Sequence, residues 1–481
     1  MSVLAELEPK VVWKHFEALT KIPRASGNEA AARQYILDQA KKLGLQTQVD
    51  DAGNLVVRKP AQKGREKATP TLLQGHLDMV CEKNEGTPFD FSKDAIRVVR
   101  RDGYLYADGT TLGSDNGVGV AASLAVMEST DIAHGPLEFV YTIDEETGLT
   151  GATQFGTGML KSKYFLNLDN EEKGTLCIGC SGGVNTTARR KLTMLPTPSG
   201  NAYRIKVSGL KGGHSGVDIH LGRGNAIRVL GNALQRVLEK LPASVADFKG
   251  GSAHNAIPRE ASAIIVLDPS REKDLRSTIA EFATEVQTDL GNFDSGVQVT
   301  VDSATAPAQV IEKTDAKRIA DVLAAAPHGV IAMSPDVPGL VQNSTNLATI
   351  SIKNGQAEIV TSQRSAIASS RDNVRRLVET VFRLAGFEPE HAGEYPGWKP
   401  EPDSDIVKTC KATYKKTFGN EPKLIAMHAG LECGVIGEKY PGMQMISFGP
   451  QIESPHSPNE RVEIDSVGEF WKYLKAVLEN V

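Results

Sequence analysis

Short apolar segments alternate with helical ones along the first 186 residues, and the same alternation returns after residue 398. The apolar runs at 71–75, 137–143 and 164–168 predict strands, with helical patterns before and between them. Such alternation predicts an α/β sheet covered by helices on both faces. We therefore predict one α/β domain built from two separate stretches of sequence, 1–186 and 398–481.

Residues 187–397 follow a different pattern. From Tyr203 to Val301 the order is strand, glycine-rich loop, helix, paired strands, helix and strand, and a second round of helix, hairpin and helix follows at 313–384. A chain of 481 residues is long enough for such an additional domain. We predict that 187–397 forms an inserted α+β domain with an internal duplication.

Charge and cysteine content narrow the class of protein. Lys and Arg number 54 against 59 Asp and Glu, which lacks the basic excess that nucleic acids or anionic membranes require. The sequence shows no signal-like start and no apolar run long enough to cross a bilayer. Five cysteines do not form a closed disulfide framework, and Cys177 and Cys180 lack the second pair of a four-thiolate zinc site. We expect a cytoplasmic protein with reduced thiols that binds neither nucleic acid nor membrane.

The segment Gly75-His76-Leu77-Asp78 directly follows a predicted strand. Residues two apart in an extended segment point the same way, so His76 and Asp78 suit a metal ligand and the carboxylate that orients it. The alternative is an ordinary hydrogen-bonded pair at a strand end.

Two acidic segments add carboxylates. Asp115 lies in a glycine-rich turn before an apolar helix, where it is either a helix cap or a metal ligand. Asp144, Glu145 and Glu146 follow another strand, and their mutual repulsion favours a nearby cation over a merely solvated turn. One of these acids would then bind metal while its neighbour acts as a base.

Asp169 follows a third strand, and prolines hold His456 in a loop near the C-terminus. Loops at the carboxyl ends of strands meet at a crevice, where such side chains converge. Two histidines and several carboxylates match the ligand set of zinc, manganese or cobalt. The pattern G-x-S-x-G at 179–183 fits the nucleophile elbow of a serine hydrolase, which requires a helix after the serine. Here β-branched residues follow it instead, which disfavours a serine nucleophile.

Eight segments together resemble the aminoacyl-histidine dipeptidase branch of the dinuclear zinc peptidases, a family that includes carnosinases, aminoacylases and peptidase T. In chain order they are GHLDMV, SDNGVG, DEETG, LNLD, KGGHSG, HNAIP, HAGLECG and SPHSPNE. The resemblance spans nearly the whole chain. It implies a mixed-sheet catalytic domain at 1–186 and 398–481, interrupted by a lid at 187–397, and relatives either double the lid or form homodimers.

The resemblance also implies roles for individual residues. His76 and Asp169 would hold one zinc ion, Glu146 and His456 the other, and Asp115 would bridge both. Asp78 would orient His76, and Glu145 would act as the general base on a metal-activated water.

In the predicted lid, His214 would stabilise the oxyanion, although a histidine after two glycines also suits a plain flexible loop. Asn255 and Arg371 resemble substrate-holding residues, with structural roles as the alternative. The segment with His428 and Glu432 departs from the Arg-Gly-Gly-Thr-Asp form of the tripeptidase relatives and is predicted to contact substrate.

The expected function is hydrolysis of Xaa-His dipeptides, with β-alanyl-histidine among the candidate substrates. The expected cofactors are two zinc ions per chain, for which manganese or cobalt would substitute. A broader dipeptidase or an N-acyl amino acid deacylase is the enzymatic alternative, and a non-catalytic binding protein is disfavoured by the presence of Asp78 and Glu145. The metal used in the cell, the breadth of specificity, the residue that reads the substrate histidine and the oligomeric state stay open.

Overall fold

The computed structural model describes residues 3–481, which fall into two compact units. Unit 1 comprises residues 3–180, 398–426 and 431–481, and unit 2 comprises residues 181–397 and 427–430. The chain thus leaves unit 1 after Cys180 and returns to it at Trp398.

Twelve strands and seven helices lie in unit 1. The strands are β1 Gln46–Val49, β2 Leu55–Lys59, β3 Thr71–His76, β4 Val98–Arg101, β5 Tyr104–Ala107, β6 Leu137–Thr142, β7 Tyr164–Asn167, β8 Thr175–Cys180, β22 Lys423–Met427, β23 Gln444–Ser447, β24 Ile452–Glu453 and β25 Arg461–Glu463. The helices are α1 Lys10–Thr20, α2 Ala30–Lys42, α3 Ser114–Glu128, α4 Thr150–Gln154, α9 Asp405–Phe418, α10 Glu432–Lys439 and α11 Ile464–Asn480.

The main sheet of unit 1 is mixed, in the order β1-β2-β6-β3-β7-β23-β8-β22. Strands β6, β3, β7 and β23 run parallel at its centre. The predicted strands at 71–75, 137–143 and 164–168 are confirmed as β3, β6 and β7, because continuous apolar runs suit strands buried on both faces. In register, His76 lies opposite Thr142, and Gln74 lies opposite Asn167. The carboxyl ends of three strands therefore meet at one edge.

Helices cover this sheet and hold the loops at that edge. The amphipathic α1 buries Val12, Phe16 and Leu19, as its periodicity predicts, and it packs on α3. Helix α3 packs in turn on β3 and is buried along nearly its whole length. A separate four-stranded sheet, β24-β25-β5-β4, carries the loop that contains His456.

Unit 2 contains the remaining elements. Its strands are β9 Gly182–Lys191, β10 Met194–Pro196, β11 Asn201–Ser208, β12 Gly213–His214, β13 Ser244–Gly250, β14 Ala256–Ile257, β15 Ala261–Leu267, β16 Gln298–Ser303, β17 Gln309–Ile311, β18 Gly329–Met333, β19 Val341–Lys353, β20 Gln356–Ser365 and β21 Glu388–Tyr395. Its helices are α5 Ala226–Lys240, α6 Glu272–Leu290, α7 Lys313–Ala325 and α8 Ala368–Leu384, with 3-10 turns at Ile219–Leu221 and Pro269–Arg271.

The large sheet of unit 2 has the order β16-β11-β15-β13-β19-β20-β9-β21, with β18 beside β19. Each half contains the same series of elements. One half uses β11, α5, β13, β15, α6 and β16, and the other uses β9, α7, β19, β20, α8 and β21. The first series is inserted between β9 and α7 of the second, so β9 pairs with β20 across a separation of more than 150 residues.

One hydrophobic cluster joins all four helices of unit 2 to the sheet. It includes Ile205 of β11, Phe248 of β13, Leu234 of α5, Leu323 of α7 and Phe382 of α8. The predicted hairpin is present but longer, because β19 and β20 extend on both sides of a tight Asn354-Gly355 turn whose residues have φ of 51° and 70°.

Three further features concern Ser181, the cysteines and the helices. Ser181 is followed by strand β9 rather than by a helix, which excludes a nucleophile elbow. All five cysteines in the described chain are free thiols, and Cys177 and Cys180 are buried in β8. Within residues 3–481, no helix is both long and apolar enough to cross a membrane.

Candidate metal centre

The carboxyl edge of the unit 1 sheet gathers five of the predicted ligands. His76 ends β3, Glu146 follows β6 by four residues, and Asp169 follows β7 by two. Asp115 comes from the start of α3, and His456 from the loop between β24 and β25. Parallel neighbouring strands explain why residues far apart in sequence converge here.

The five side chains form two overlapping groups that share Asp115. In one, His76 Nε2 lies 3.1 Å from Asp115 Oδ1 and 3.5 Å from Asp169 Oδ1. In the other, His456 Nε2 lies 3.2 Å from Asp115 Oδ2 and 3.0 Å from Glu146 Oε2. Within each group the candidate ligand atoms lie within 4.8 Å of one another. The two oxygens of Asp115 thus face different histidines, the arrangement that a bridging carboxylate requires.

Asp78 contacts several of the residues at this edge of the sheet. Its Oδ1 lies 3.4 Å from His76 Nδ1, and its carboxylate accepts hydrogen bonds from the backbone N–H of Glu145 at 3.0 Å and of Glu146 at 3.1 Å. The hydroxyl of Ser26 also donates to it, at 2.8 Å. Asp78 therefore contacts His76 and fixes the main chain of both glutamates at once.

The electrostatics of the site favour positive charge. Hydrogen bonds with Asp115 and Glu146 raise the pKa of His456 to about 11, because both carboxylates stabilise the imidazolium. Burial opposes protonation of His76, but Asp169, Asp115 and Asp78 together hold its pKa well above the usual value. The carboxylates thus create a negative potential, which favours a cation at this position once the imidazoles have lost their protons.

The donor set fits two divalent ions. Glu146 Oε1 is buried, with no hydrogen-bond partner among residues 3–481, although a buried carboxylate oxygen normally has one. Each group offers one imidazole and two carboxylates, which is the nitrogen and oxygen chemistry of zinc, manganese or cobalt. His76, Asp115 and Asp169 would hold one ion, and Asp115, Glu146 and His456 the other.

Glu145 lies beside the two groups, with a carboxylate oxygen that converges with ligand atoms of His76 and Glu146. Burial raises the pKa of its carboxyl well above the ordinary value, and the neighbouring Asp169, Glu432 and Glu146 act in the same direction. A carboxyl of this kind is suited to take up a proton and release it again.

Glu432 belongs to a buried polar network beneath the same edge. Its Oε2 accepts hydrogen bonds from Gln74 Nε2 and, at 2.7 Å, from the Thr142 hydroxyl. Gln74 in turn accepts from Asn167 Nδ2 at 2.6 Å. Burial raises the pKa of Glu432 to about 7. Its role as a substrate contact stays a prediction.

Sequence reasoning missed Glu460, which caps the Asp115 segment. Its carboxylate accepts hydrogen bonds from the backbone N–H of Leu112 at 2.7 Å, Gly113 at 2.9 Å and Ser114 at 2.7 Å. The helix-cap alternative for Asp115 is set aside, because its side chain makes no capping hydrogen bond within residues 3–481 and faces His76 and His456. The only signal was the acidic end of the SPHSPNE segment.

In unit 2, His214 is held in one tautomer. Its Nδ1 accepts hydrogen bonds from the backbone N–H of Val217 at 3.0 Å and Gly216 at 3.3 Å, so the ring proton lies on Nε2. Burial and the nearby Arg364 guanidinium lower the pKa of His214 to about 4, although Asp218 acts in the opposite direction. His214 is thus a neutral Nε2–H donor at physiological pH.

Arg364 was not singled out from the sequence, yet it lies in the same cluster of unit 2. It donates to the Tyr395 hydroxyl at 2.7 Å and to Ser215 Oγ at 3.4 Å, and its charge lowers the pKa of both His214 and His428. The buried Arg364 Nε has no partner in the described part of the chain.

The other predicted substrate contacts of unit 2 differ in their surroundings. His428 Nε2 lies 2.6 Å from Ser344 Oγ, and Asn255 is exposed, with its carbonyl accepting from Ser215 N at 2.8 Å. Arg371 is buried and donates to the Tyr395 carbonyl at 2.8 Å and to the Glu394 carboxylate. The buried Arg371 Nε, like that of Arg364, has no partner within residues 3–481, and the role of Arg371 as a substrate contact stays a prediction.

Residues 72–480 match the peptidase family M20/M25/M40. The chain belongs to that family. The family match covers both units, because residues 72–480 include the metal-centre residues of unit 1 and the whole of unit 2.

Two relatives within family M20 span the full chain. The sequence is 37% identical to the cytosol non-specific dipeptidase of Escherichia coli (strain K12), over 100% of this chain and 99% of that protein. The structure matches that of the aminoacylhistidine dipeptidase from Vibrio alginolyticus with a TM-score of 0.92 and 39% identity, covering 100% of this chain and 98% of the other. This close match confirms the predicted mixed α/β peptidase fold.

A more distant member supports the fold alone. The aminopeptidase PepT from Bacillus cereus matches with a TM-score of 0.58 and 17% identity, over 98% of this chain and 99% of the other. This chain therefore shares its fold with that aminopeptidase.

Proposed function

We propose that this chain is a two-metal dipeptidase of family M20 that hydrolyses dipeptides with a C-terminal histidine. The observation that carries the proposal is the pair of ligand groups that share Asp115, since two ions held by one bridging carboxylate can act on the same scissile bond. When bound, the two ions would supply Lewis-acid chemistry, lowering the pKa of water and polarising the peptide carbonyl. We propose zinc as the metal, with manganese or cobalt able to replace it.

Glu145 is the proposed general base. Its half-buried side chain lies next to His76 and Glu146 but outside the two shared groups, which suits it to accept a proton from the attacking water. The same group can then return the proton to the leaving amine. Asp78 acts indirectly, because it holds the backbone of Glu145 and orients the His76 ring.

His214 and Arg364 are the proposed substrate-binding residues of unit 2. The Nε2–H of His214 is fixed as a donor by the backbone amides on Nδ1, which suits it to stabilise a developing oxyanion. Arg364 carries a fixed positive charge and an unpaired buried Nε, which suit it to bind the terminal carboxylate of a peptide. We assign this role to Arg364 because its guanidinium lies near His214, and we retain Arg371, Asn255, His428 and Glu432 as candidate contacts.

A broader dipeptidase is the second candidate. The Escherichia coli relative is named a non-specific dipeptidase, whereas the Vibrio structure is named an aminoacylhistidine dipeptidase, and the identities to this chain are similar. Both names agree on dipeptides and differ on the breadth of the C-terminal residue.

A substrate panel tests the proposal. Zinc-loaded protein would be assayed on alanyl-histidine, β-alanyl-histidine, alanyl-alanine, a tripeptide and N-acetyl-histidine, with Glu145→Gln protein prepared in parallel as a control for contaminating peptidases. We expect the highest kcat/KM on the histidine dipeptides. Equal values on alanyl-alanine would favour the broad dipeptidase, and faster cleavage of N-acetyl-histidine would favour a deacylase and contradict the proposal.

The cellular setting is also proposed. The relative from Escherichia coli is named a cytosol enzyme, and the five free thiols of this chain suit a reducing compartment. We propose that the chain acts in the cytoplasm on short peptides. Assembly into a homodimer stays a prediction of the sequence.

A further inference from the structure

Glu460 is a buried acid that accepts hydrogen bonds from the segment 112–115 of unit 1. It is 2% exposed, and its two oxygens accept from the backbone N–H of Leu112, Gly113, Ser114 and, at 3.2 Å, Asp115. The Ser114 hydroxyl donates to it as well, at 2.5 Å. A single side chain thus accepts hydrogen bonds from four consecutive residues.

These bonds satisfy main-chain N–H groups that lie before the regular turns of helix α3. The backbone is non-helical at Asp115 and Asn116, so the N–H groups of residues 112–115 need acceptors from outside the helix. Asn116 Nδ2 donates to the Leu168 carbonyl at 2.8 Å, and the Asp115 carboxylate faces the two histidines. Glu460, 345 residues beyond Asp115 in sequence, therefore supplies the acceptors and leaves the Asp115 carboxylate free to face the histidines.

Arg24 also binds this stretch of main chain. The buried guanidinium of Arg24 donates to the carbonyl of Gly113 and to those of Leu77 at 2.9 Å and Asp78 at 2.8 Å. Arg24 thereby ties the segment after His76 to the segment before Asp115. Glu460 ties that second segment to the loop that contains His456.

His456 and Glu460 are separated by only four residues of one loop, yet they contact opposite ends of Asp115. His456 Nε2 lies 3.2 Å from the Asp115 carboxylate, and Glu460 Oε1 accepts from the Asp115 N–H. Any displacement of this loop would move a ligand and the main chain of the bridging residue together. The group formed by Asp115, Glu146 and His456 depends on this link, whereas His76 and Asp169 come from strands of the central sheet.

We infer that Glu460 is a positioning residue that links the two metal positions, holding Asp115 in its bridging place so that the ion bound by Glu146 and His456 is retained. This inference rests on the proposed two-metal centre. Loss of the Glu460 carboxylate should weaken the Glu146 and His456 position selectively, because residues that orient a ligand typically contribute about 10–100-fold to metal affinity.

The test measures bound zinc by equilibrium dialysis of the full-length protein across a series of buffered free zinc concentrations. The variants are Glu460→Gln, which keeps the shape but replaces one acceptor oxygen by a donor, and Ser114→Ala, which removes only the hydroxyl bond. Glu453→Gln is the matched control, since Glu453 lies in the same region but pairs with Arg461 and Tyr104.

Wild type and Glu453→Gln should bind two ions. Glu460→Gln should bind one ion with wild-type affinity and the second about 10-fold or more weakly, and kcat should fall at limiting zinc while KM changes little, because Glu460 does not touch substrate. Two ions bound with wild-type affinity, or equal weakening of both, would overturn the inference.

If Glu460→Gln fails to fold, Ser114→Ala decides the matter. It should weaken the second ion by a smaller factor, and an unchanged second affinity would also overturn the inference. Wild-type protein that binds fewer than two ions would instead contradict the proposed two-metal function, which keeps the two failures distinguishable.

Discussion

Substitution of the adjacent residues Glu145 and Glu146 should impair hydrolysis in two different ways. Glu145 is the proposed base and Glu146 the proposed ligand, so Glu145→Gln should keep its metal and lose turnover, whereas Glu146→Gln should lose metal. The structure supports this division, since Glu146 Oε2 lies 3.0 Å from His456 Nε2 and the Glu146 side chain is only 5% exposed. Both backbones are held by Asp78, so each change affects the side chain alone.

The two expected magnitudes come from different physics. A positioned general base contributes about 10²–10⁴-fold to rate, which corresponds to about 3–5 kcal/mol in the activation free energy. At about 4 Å in a partly buried site, one unit charge interacts with another by about 4 kcal/mol, which corresponds to roughly 10³-fold in affinity. Glu145→Gln should therefore lower kcat by about 10²-fold or more, and Glu146→Gln should weaken one bound ion by roughly 10³-fold.

The assay pairs metal content with dipeptide turnover on the same preparations. Asp144→Asn is the matched control. Asp144 lies in the same acidic run, its φ of 48° suits asparagine, and its side chain accepts a hydrogen bond from the Thr147 hydroxyl at 2.7 Å. It should keep two ions and near-normal kcat. Metal loss in Glu145→Gln together with retention in Glu146→Gln would show that the two roles are exchanged.

Three further predictions concern the ions, His214 and the main chain at Gly113. Exhaustive chelation should abolish hydrolysis, and zinc, manganese or cobalt should restore it, whereas full activity in metal-free protein would contradict the two-metal proposal. His214→Ala should lower kcat by about 10²–10³-fold with metal content unchanged, and near-normal turnover would leave His214 with only a structural role. Gly113→Ala should lower the free energy of unfolding by about 2–4 kcal/mol, because a φ of 71° costs a non-glycine residue about 1–2 kcal/mol and the new Cβ would lie 2.5 Å from Arg24 Nη2. Gly86→Ala, with a φ of 80° and nothing within 4 Å, should cost only the backbone part, so equal losses in urea unfolding would refute the packing argument.

The positions of the strand-end ligands followed from local pattern. Apolar runs predicted β3, β6 and β7, and the polar residues after each run had to lie at one edge once the strands were parallel. His76, Glu146 and Asp169 could therefore be grouped from the sequence. The resemblance to the dipeptidase branch added the assignment of each ligand to one of the two ions. Sequence periodicity alone carries no information on that assignment.

Unit 2 shows where local sequence pattern is no longer sufficient for prediction. Helices α7 and α8 and the β19–β20 hairpin were predictable, because each depends on contacts between neighbours in sequence. The position of β9 in the sheet could not be predicted, because its partner strands β20 and β21 lie far along the chain. Arg364 and Arg371 are similarly ambiguous in sequence, and only their partners, Ser215 and Tyr395 Oη for one and Glu394 for the other, separate them.

The sequence by itself determined which strands and helices form in unit 1 and which residues could bind metal, because those properties depend on apolar periodicity and on residue chemistry close by in the chain. Only the tertiary structure decided which partner satisfies each buried polar group. The N–H groups before Asp115 can donate to any suitably placed acceptor, and the local sequence offered Asp115 itself as the alternative cap. The fold brings Glu460 to them from the other end of the chain, and Asp115 is thereby left to face His76 and His456.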